Sequence, residues 1–308
     1  MDSLEENDCG ATDGLAHGHA DSNAPASRVA GDDKPVDIVY VLGKGSVADN
    51  YELRLSLRSL CRFGSGIGRV IVAGETPKFL SDEVIAVPCK DVNPGRKHVN
   101  ILNAIKTAAE AVKMTRPFLY SSDDHFLSAP VDFRDYPIYC RFKANKKGYV
   151  YNEEECRKIY KAYKEDPSAK LSAYNKCLVA TRAMLESEGL LPLWTNWHGN
   201  TWMFPEVLDE ARELCERNRT KFKTKMGYEP TLVVNALHAR DVLGKGGKLN
   251  LELLRRDVKS GKYNIIKLFA ASEGRFSVSD VAWLDSSFRA FMEGMFLTPC
   301  KYEKEYEV

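Results

Sequence analysis

The sequence lacks any stretch that could cross a membrane, because no run approaches the roughly 18 consecutive apolar residues that a spanning helix needs. The acidic first residues also lack the basic and then apolar layout of a secretory signal. The eight cysteines show no C-x-x-C spacing and no compact framework, which argues against a zinc ribbon or a disulfide scaffold. These absences predict a soluble, cytoplasmic protein with reduced thiols, although an even cysteine count also allows a bridge.

Aromatic and β-branched residues are nearly missing from residues 1–33, which are rich in Gly, Ala, Ser, Asp and Asn. Such a composition cannot bury enough apolar surface to fold, so a disordered acidic tail is predicted here. The tail carries eight acidic residues against one arginine, so the net charge of +1 leaves eight excess positive charges on the remainder. A basic folded part favours ligands that carry phosphate, such as nucleotide-sugars or nucleic acid, but it equally serves solubility.

An alternation of β-branched runs and helical patterns begins after the tail. Apolar runs at residues 36–42, 68–73 and 84–87 predict buried strands. Leucines at helical spacing over 51–60 and the periodicity of 97–114 predict helices between the strands. The alternation indicates an α/β fold with a Rossmann-like, mostly parallel sheet flanked by helices.

One folded domain is predicted over residues 34–308, with helical insertions in its C-terminal half. The charged and aromatic segment at about 152–188 is predicted to be such an insertion, and its Tyr and Lys residues suit either a solvated helix face or a nucleic-acid surface. A loop rich in tryptophan surrounds His198, and such a loop either packs on the core or lines a pocket. His98 is predicted to be structural.

Two adjacent aspartates, Asp123 and Asp124, follow an apolar run that predicts another strand. Adjacent carboxylates repel one another, and their ionised forms are best tolerated when a cation or a mobile proton lies between them. Ligands of parallel α/β sheets bind at the carboxyl ends of strands. The pair therefore predicts a metal or acid/base site, with a solvated turn or a helix cap as the alternative.

Several segments resemble those of a known transferase family. Residues 36–40 form a V-D-I-V-Y strand, residues 49–59 read D-N-Y-E-L-R-L-S-L-R-S, and Ser122-Asp123-Asp124 ends a strand. They resemble the D-V-V-Y strand, the D-N-x-E-L-R-x-S-L-R-S segment and the N-D-D ending of the Stealth family, the sugar-phosphate transferases of capsule polysaccharides and lysosomal tags.

The later regions of that family have counterparts in the same order. They are His198, the helix from Glu206, the segment Lys221-Phe222-Lys223, the strand ending at Asp280, and residues 296–303. The resemblance thus extends from the first strand to the last ten residues. It implies a variant of the GT-A nucleotide-sugar transferase fold.

The sequence departs from the family pattern at positions that handle the donor. The W-V-N-G loop is replaced by V-L-G-K-G around Gly43, the Asn of N-D-D is Ser122, and both arginines of R-F-R are lysines. Lysine keeps the charge but loses the bidentate grip on phosphate. The predicted reaction is therefore metal-dependent glycosyl transfer from a nucleotide-sugar to a hydroxyl acceptor such as a saccharide. The alternatives are Stealth-type sugar-1-phosphate transfer, glycosylation of modified bases in DNA, and a non-enzymatic nucleic-acid-binding protein.

The resemblance and the chemistry together assign roles to four residues. Asp124 is the first choice for a metal ligand, and Asp123 is a second ligand or an acceptor of a sugar hydroxyl. His198 is a metal ligand or a general acid/base, with a structural histidine as the alternative. Asp280 is a third ligand or a general base, with a helix cap as the alternative. Oxygen ligands suit Mn²⁺ or Mg²⁺, and an imidazole ligand would favour Mn²⁺.

Contacts to the diphosphate of the donor, for which a UDP-sugar is favoured, are predicted for Gly43, Arg54, Arg58, Lys221 and Lys223. For the arginines the alternative is an ion pair, and for the lysines it is a solvated basic face.

Overall fold

The computed structural model describes residues 29, 33–43, 50–92, 96–140, 172–193, 199–219, 226–249, 251–253, 259–260 and 274–304. The predicted tail lies almost entirely outside these ranges, as do His198, Lys221 and Lys223 and residues 152–171 of the predicted insertion. In chain order the elements are β1 (Val36–Leu42), α1 (Tyr51–Phe63), β2 (Gly64–Ser65), β3 (Ile67–Gly74), β4 (Val84–Pro88), α2 (Lys97–Ala111), β5 (Phe118–Ser121), β6 (His125–Leu127), β7 (Val131–Asp132), β8 (Ile138–Cys140), α3 (Ala173–Ser187), β9 (Thr201–Met203), α4 (Leu208–Arg217), α5 (Pro230–Gly244), β10 (Leu251–Leu253), β11 (Lys259–Ser260), β12 (Arg275–Val278), α6 (Asp280–Trp283) and α7 (Ser286–Met295).

The central sheet has five strands in the order β4-β3-β1-β5-β9. The first four are mutually parallel, and β9 pairs antiparallel with β5 at one edge. Helix α2 packs on β1 and β3, and α5 packs on β9. The predicted α/β fold with a mostly parallel sheet flanked by helices is therefore confirmed.

Three smaller sheets complete the described part of the chain. Strand β6 pairs antiparallel with β12, which in turn pairs in parallel with β11. Two further parallel pairs are formed by β8 with β10 and by β2 with β7. No helix in the described ranges has the length and hydropathy needed to span a bilayer. The thiols of Cys61, Cys89, Cys177, Cys215 and Cys300 are free.

Helix α1 lies between the central sheet and the sheet of β6, β12 and β11. Leu53, Leu57 and Leu60, which the sequence places on one face, are buried in the main core with β1 and β3. Leu55 points the other way, into a second core cluster that includes Phe126. The helix is thus buried on two sides. Asn50 is the N-cap residue of the helix, with φ 59°, and its side chain makes no capping hydrogen bond.

Glycine is required where β3 ends beside β1. Gly74 has φ 111°, a region that residues with a Cβ rarely adopt. A Cβ there would stand 2.0 Å from the carbonyl oxygen of Leu42. That carbonyl instead accepts a hydrogen bond from the backbone N–H of Glu75 at 3.0 Å. The close approach keeps the carboxyl ends of these two strands in register.

A buried ion pair joins α1 to the end of the described chain. The Arg58 guanidinium donates from Nε to Oε1 of Glu303 at 2.6 Å and from Nη2 to Oε2 at 2.8 Å. Its Nη1 donates to the carbonyl oxygen of Phe296 at 2.9 Å. The two side chains are only 10% and 3% exposed. Arg54 adds a second positive charge, with Nε 3.5 Å from Oε2 of Glu303.

We expect Arg58→Met to destabilise the protein by about 3 kcal/mol, because it leaves a buried carboxylate without its bidentate partner. Breaking a buried ion pair usually costs about 3–5 kcal/mol, and we expect the lower value because Arg54 remains beside Glu303. The matched control is Arg240→Met, which breaks a bidentate pair with Glu210 that is 42% and 39% exposed. An exposed pair contributes about 1 kcal/mol or less. Urea unfolding of both variants measures the difference, and equal losses would contradict the burial argument.

Candidate functional site

The order of the central sheet places a topological switch point between β1 and β5. From β1 the chain moves outward to β3 and β4, and then it returns to form β5 on the opposite side of β1. In open α/β sheets, ligands bind in the crevice outside the carboxyl ends of the strands at such a point. Gly43 follows β1 there, and Asp123 and Asp124 follow β5. No atom of the described residues lies within 4 Å of where a Cβ on Gly43 would stand.

The two aspartates occupy the turn that carries the chain from the central sheet into the second sheet. The backbone N–H of His125 donates to the carbonyl oxygen of Ser122 at 3.3 Å, which closes the turn. The hydroxyl of Tyr120 lies 3.1 Å from that of Ser122. The carbonyl oxygen of Asp124 accepts from the backbone N–H of Val278 at 3.0 Å. Both ends of the turn are therefore fixed by hydrogen bonds.

Negative charge is concentrated at this turn. Burial, followed by the nearby charges of Asp124 and Glu52, raises the pKa of Asp123 from its ordinary value of 3.8 to about 7, and Lys97 acts against this rise. Glu52 belongs to α1 and is only 4% exposed. Two neighbouring carboxylates therefore repel a charge on Asp123, and one lysine offsets part of that repulsion. Oxygen ligands of this kind suit a hard divalent cation such as Mg²⁺ or Mn²⁺.

Asp280 is brought to the same junction from a distant part of the sequence. Strand β12 ends at Val278, whose N–H binds the Asp124 carbonyl, and Asp280 follows two residues later as the first residue of α6. Its side chain is exposed. Because Val278 is bound to Asp124, Asp280 lies beside the turn that contains Asp123 and Asp124, which we call the aspartate turn. Asp280 is the third predicted site residue at this junction.

Two serine hydroxyls of α1 hold β6, the strand that follows the turn. Ser56 donates to the carbonyl oxygen of His125 and lies 3.2 Å from the hydroxyl of Tyr40 in β1. Ser59 accepts from the backbone N–H of Leu127 at 3.2 Å. Both serines are 1% exposed. A strand whose backbone is bound in this way cannot shift along α1 without losing buried hydrogen bonds.

His125 lies beside Asp124, at the first position of β6. Its Nδ1 accepts from the backbone N–H of Ser122 at 3.2 Å, so the neutral ring carries its proton on Nε2. That nitrogen lies 3.6 Å from Oδ1 of Asp124. The ring therefore lies next to the carboxylate, at a separation longer than a hydrogen bond.

The remaining predicted site residues divide into two groups. The guanidinium groups of Arg54 and Arg58 lie on Glu303, so the structure gives them the ion pair that was the alternative to donor binding. His198, Lys221 and Lys223 are outside the described residues. Donor contact for all five diphosphate candidates stays a prediction.

Sequence reasoning missed Glu52 and the two serines as parts of the site. All three belong to the segment D-N-Y-E-L-R-L-S-L-R-S, which was matched to a family motif without a role for each residue. The sequence offered one signal for these residues. An acid and two hydroxyls within a leucine-rich helix are expected to be buried, and buried polar groups need polar partners.

A separate cleft of about 900 Å³ lies at the other end of α1. It is lined by Arg58 and Cys61 on one side and by residues 294–302 on the other. Asp123, Asp124 and Asp280 are not among its lining residues, and no acidic residue lines it. The candidate site is therefore identified by the carboxylates at the switch point and not by this cleft.

Comparison with known proteins gives no family assignment. No protein-family model matches the chain, and no curated protein matches it. Among solved structures, it is similar to a glycosyltransferase involved in the glycosylation of the major capsid of PBCV-1, with a TM-score of 0.39 and 13% identity over 86% of this chain and 100% of that chain.

Two structures of the glycosyltransferase GlyE from Streptococcus pneumoniae TIGR4 are also similar. The apo form has a TM-score of 0.25 and 11% identity, covering 45% of this chain and 41% of that chain. The second has a TM-score of 0.31 and 10% identity, covering 72% and 45%. The chain thus spans less than half the length of either GlyE structure. These structural neighbours are glycosyltransferases, and membership of the Stealth family stays a prediction.

We expect Ser59→Ala to lower the free energy of unfolding by about 1–3 kcal/mol, because it leaves the buried N–H of Leu127 without an acceptor. Ser65→Ala is the matched control, since Ser65 also bonds a backbone group, the carbonyl of Val131 at 3.4 Å, but is exposed. A change within about 0.5 kcal/mol is expected for the control. Urea unfolding measures both, and an unchanged Ser59→Ala variant would contradict the role assigned to this hydroxyl.

The raised pKa of Asp123 predicts a pH dependence in chelator-treated protein. Between about pH 4 and pH 7 the folded state keeps a proton on Asp123 that the unfolded state releases. The bound proton therefore favours the folded state at low pH, and the free energy of unfolding falls as the pH rises towards 7. Asp123→Asn should remove that part of the slope of unfolding free energy against pH, whereas the exposed turn variant Asp82→Asn should keep it. Identical slopes for all three proteins would contradict the electrostatic description.

Proposed function

We propose that this protein is a metal-dependent glycosyltransferase that moves a sugar from a nucleotide-sugar donor to a hydroxyl acceptor. The observation that carries the proposal is the position of Asp123 and Asp124, which end β5 at the topological switch point of the sheet. The buried carboxylate of Glu52 increases the negative charge beside them. Two adjacent carboxylates at a ligand-binding edge offer the oxygen ligands that Mn²⁺ or Mg²⁺ prefers.

In this proposal Asp124 holds the metal ion, and Asp123 is the second ligand or binds a hydroxyl of the donor sugar. The bound ion would offset the charge that develops on the diphosphate when the nucleotide departs. The ring of His125 lies beside Asp124, and the backbone contact with Val278 fixes the turn. Lys97 lowers the pKa of Asp123 and so favours its ionised form, which is the form that binds metal.

Asp280 is the candidate general base for the acceptor. It is exposed at the start of α6, beside the aspartate turn, and an ionised carboxylate there can take the proton from an incoming hydroxyl. His198 stays the alternative for this role, as predicted from the sequence. The acceptor is a saccharide or another hydroxyl compound, and a UDP-sugar is the favoured donor.

The decisive experiment is binding and turnover with a panel of nucleotide-sugars in the presence of Mn²⁺. We expect thermal stabilisation by one donor with Mn²⁺, and transfer or slow hydrolysis of its sugar. Asp124→Asn should reduce turnover by about 100-fold or more, because charge stabilisation of the leaving group is lost. Asp82→Asn, which removes an exposed carboxylate elsewhere, should retain wild-type activity.

The outcomes separate the alternatives. Release of a nucleoside diphosphate supports glycosyl transfer, whereas a nucleoside monophosphate would indicate transfer of sugar-1-phosphate. Wild-type turnover by Asp124→Asn would overturn the metal assignment. Tight, steeply salt-dependent binding of DNA or RNA without any nucleotide-sugar binding would overturn the proposal in favour of a nucleic-acid-binding protein.

A further inference from the structure

A buried cluster of three potential metal ligands shares no residue with the aspartate turn. His98 is the second residue of α2, Cys177 lies in α3, and Glu229 immediately precedes α5. Their exposed fractions are 5%, 0% and 7%. His98 and Cys177 are 79 positions apart in sequence, and Cys177 and Glu229 are 52 apart, so the cluster cannot be recognised from a local spacing motif.

The ligand atoms of the three side chains converge on one point. Nδ1 of His98 lies 3.1 Å from Sγ of Cys177 and 3.5 Å from Oε2 of Glu229. The three atoms all lie within 4.8 Å of one another. Around a tetrahedral ion with bonds of about 2.0–2.3 Å, ligand atoms are separated by roughly 3.3–3.8 Å. The observed separations are thus close to those of a metal site.

Glu229 is also the N-cap of α5, where Oε1 accepts from the backbone N–H and the hydroxyl of Thr231, while Oε2 faces the cluster. Each of the three cluster atoms carries a lone pair that a metal ion could share. Within the described part of the chain, no lysine or arginine pairs with Glu229, whose ion-pair contact there is His98. A buried carboxylate needs a charged partner or a metal ion.

The surrounding groups hold the ligands in place. The other oxygen of Glu229, Oε1, accepts from the hydroxyl of Thr231 at 3.1 Å. Thr181 accepts from the backbone N–H of Glu229 at 2.8 Å and donates to the carbonyl oxygen of Cys177 at 2.8 Å. One threonine therefore fixes the backbone of two ligands. Such supporting hydrogen bonds are typical of metal sites, where they orient the ligating side chains.

We propose that His98, Cys177 and Glu229 bind a zinc ion that joins α2, α3 and the start of α5. A nitrogen, a thiolate sulfur and a carboxylate oxygen form a mixed ligand set of the kind that zinc binds, with a water molecule as the fourth ligand. The all-oxygen site at the aspartate turn instead suits Mn²⁺ or Mg²⁺. The two sites share no ligand and differ in chemistry, so the zinc site is distinct from the metal site of the proposed transfer reaction.

The test measures zinc in the full-length protein and the spectrum of its cobalt form. We expect one zinc per chain by elemental analysis after dialysis, and a thiolate-to-metal charge-transfer band when Co²⁺ replaces it. Chelator treatment should lower the melting temperature, and Zn²⁺ should restore it. The wild-type cobalt spectrum keeps the proposal testable even if a ligand variant fails to fold.

The variants then locate the site. Cys177→Ser and His98→Gln should lose the zinc and the charge-transfer band. The matched control is Cys215→Ser, which removes a neighbouring thiol that packs against the same core but has no part in the cluster. Asp124→Asn should also keep its zinc. The proposal would be overturned by any one of three results: wild-type protein that binds no metal in equimolar Zn²⁺, a cobalt form without a thiolate band, or full zinc content in Cys177→Ser. The cluster would then be a hydrogen-bonded thiol and imidazole without a metal.

Discussion

The contact between α1 and β6 determines how the two main parts of the fold meet. A helix that is buried on two sides must satisfy its polar side chains internally, since water cannot reach them. Ser56 and Ser59 do so by binding the backbone of β6, and this fixes the position of that strand along the helix. The aspartate turn precedes β6 directly, so its location relative to the central sheet follows from the same hydrogen bonds.

The carboxylates at the turn also depend on the packing of α1. Repulsion among Asp123, Asp124 and Glu52 opposes their close approach, and it is overcome because apolar burial on both sides of α1 holds the backbone in place. An arrangement that is electrostatically unfavourable on its own, yet rigidly supported, is typical of functional sites. The second core cluster is therefore part of what maintains the site.

Local patterns in the sequence predicted the central sheet well. The strands at 36–42, 68–73 and 84–87 agree with β1, β3 and β4 within one residue at each end, because β-branched runs of this length form buried parallel strands. The position of Asp123 and Asp124 at the end of a strand was predicted for the same reason. Contacts over long separations could not be predicted. The pairing of β6 with β12, the ion pair between Arg58 and Glu303, and the approach of Glu52 to Asp123 depend on how finished elements pack.

The structure also explains what the segment D-N-Y-E-L-R-L-S-L-R-S encodes. Its glutamate lies near Asp123, its two serines bind β6, and its two arginines pair with Glu303, which belongs to the last matched segment of the chain. These five polar residues thus each have a contact within the protein. The segment therefore specifies where α1 lies and which acid stands beside the turn, and it need not contact a donor to account for its composition. Resemblance at this helix consequently supports a shared arrangement of the fold, whereas the reaction has to be inferred from the carboxylates at the end of β5.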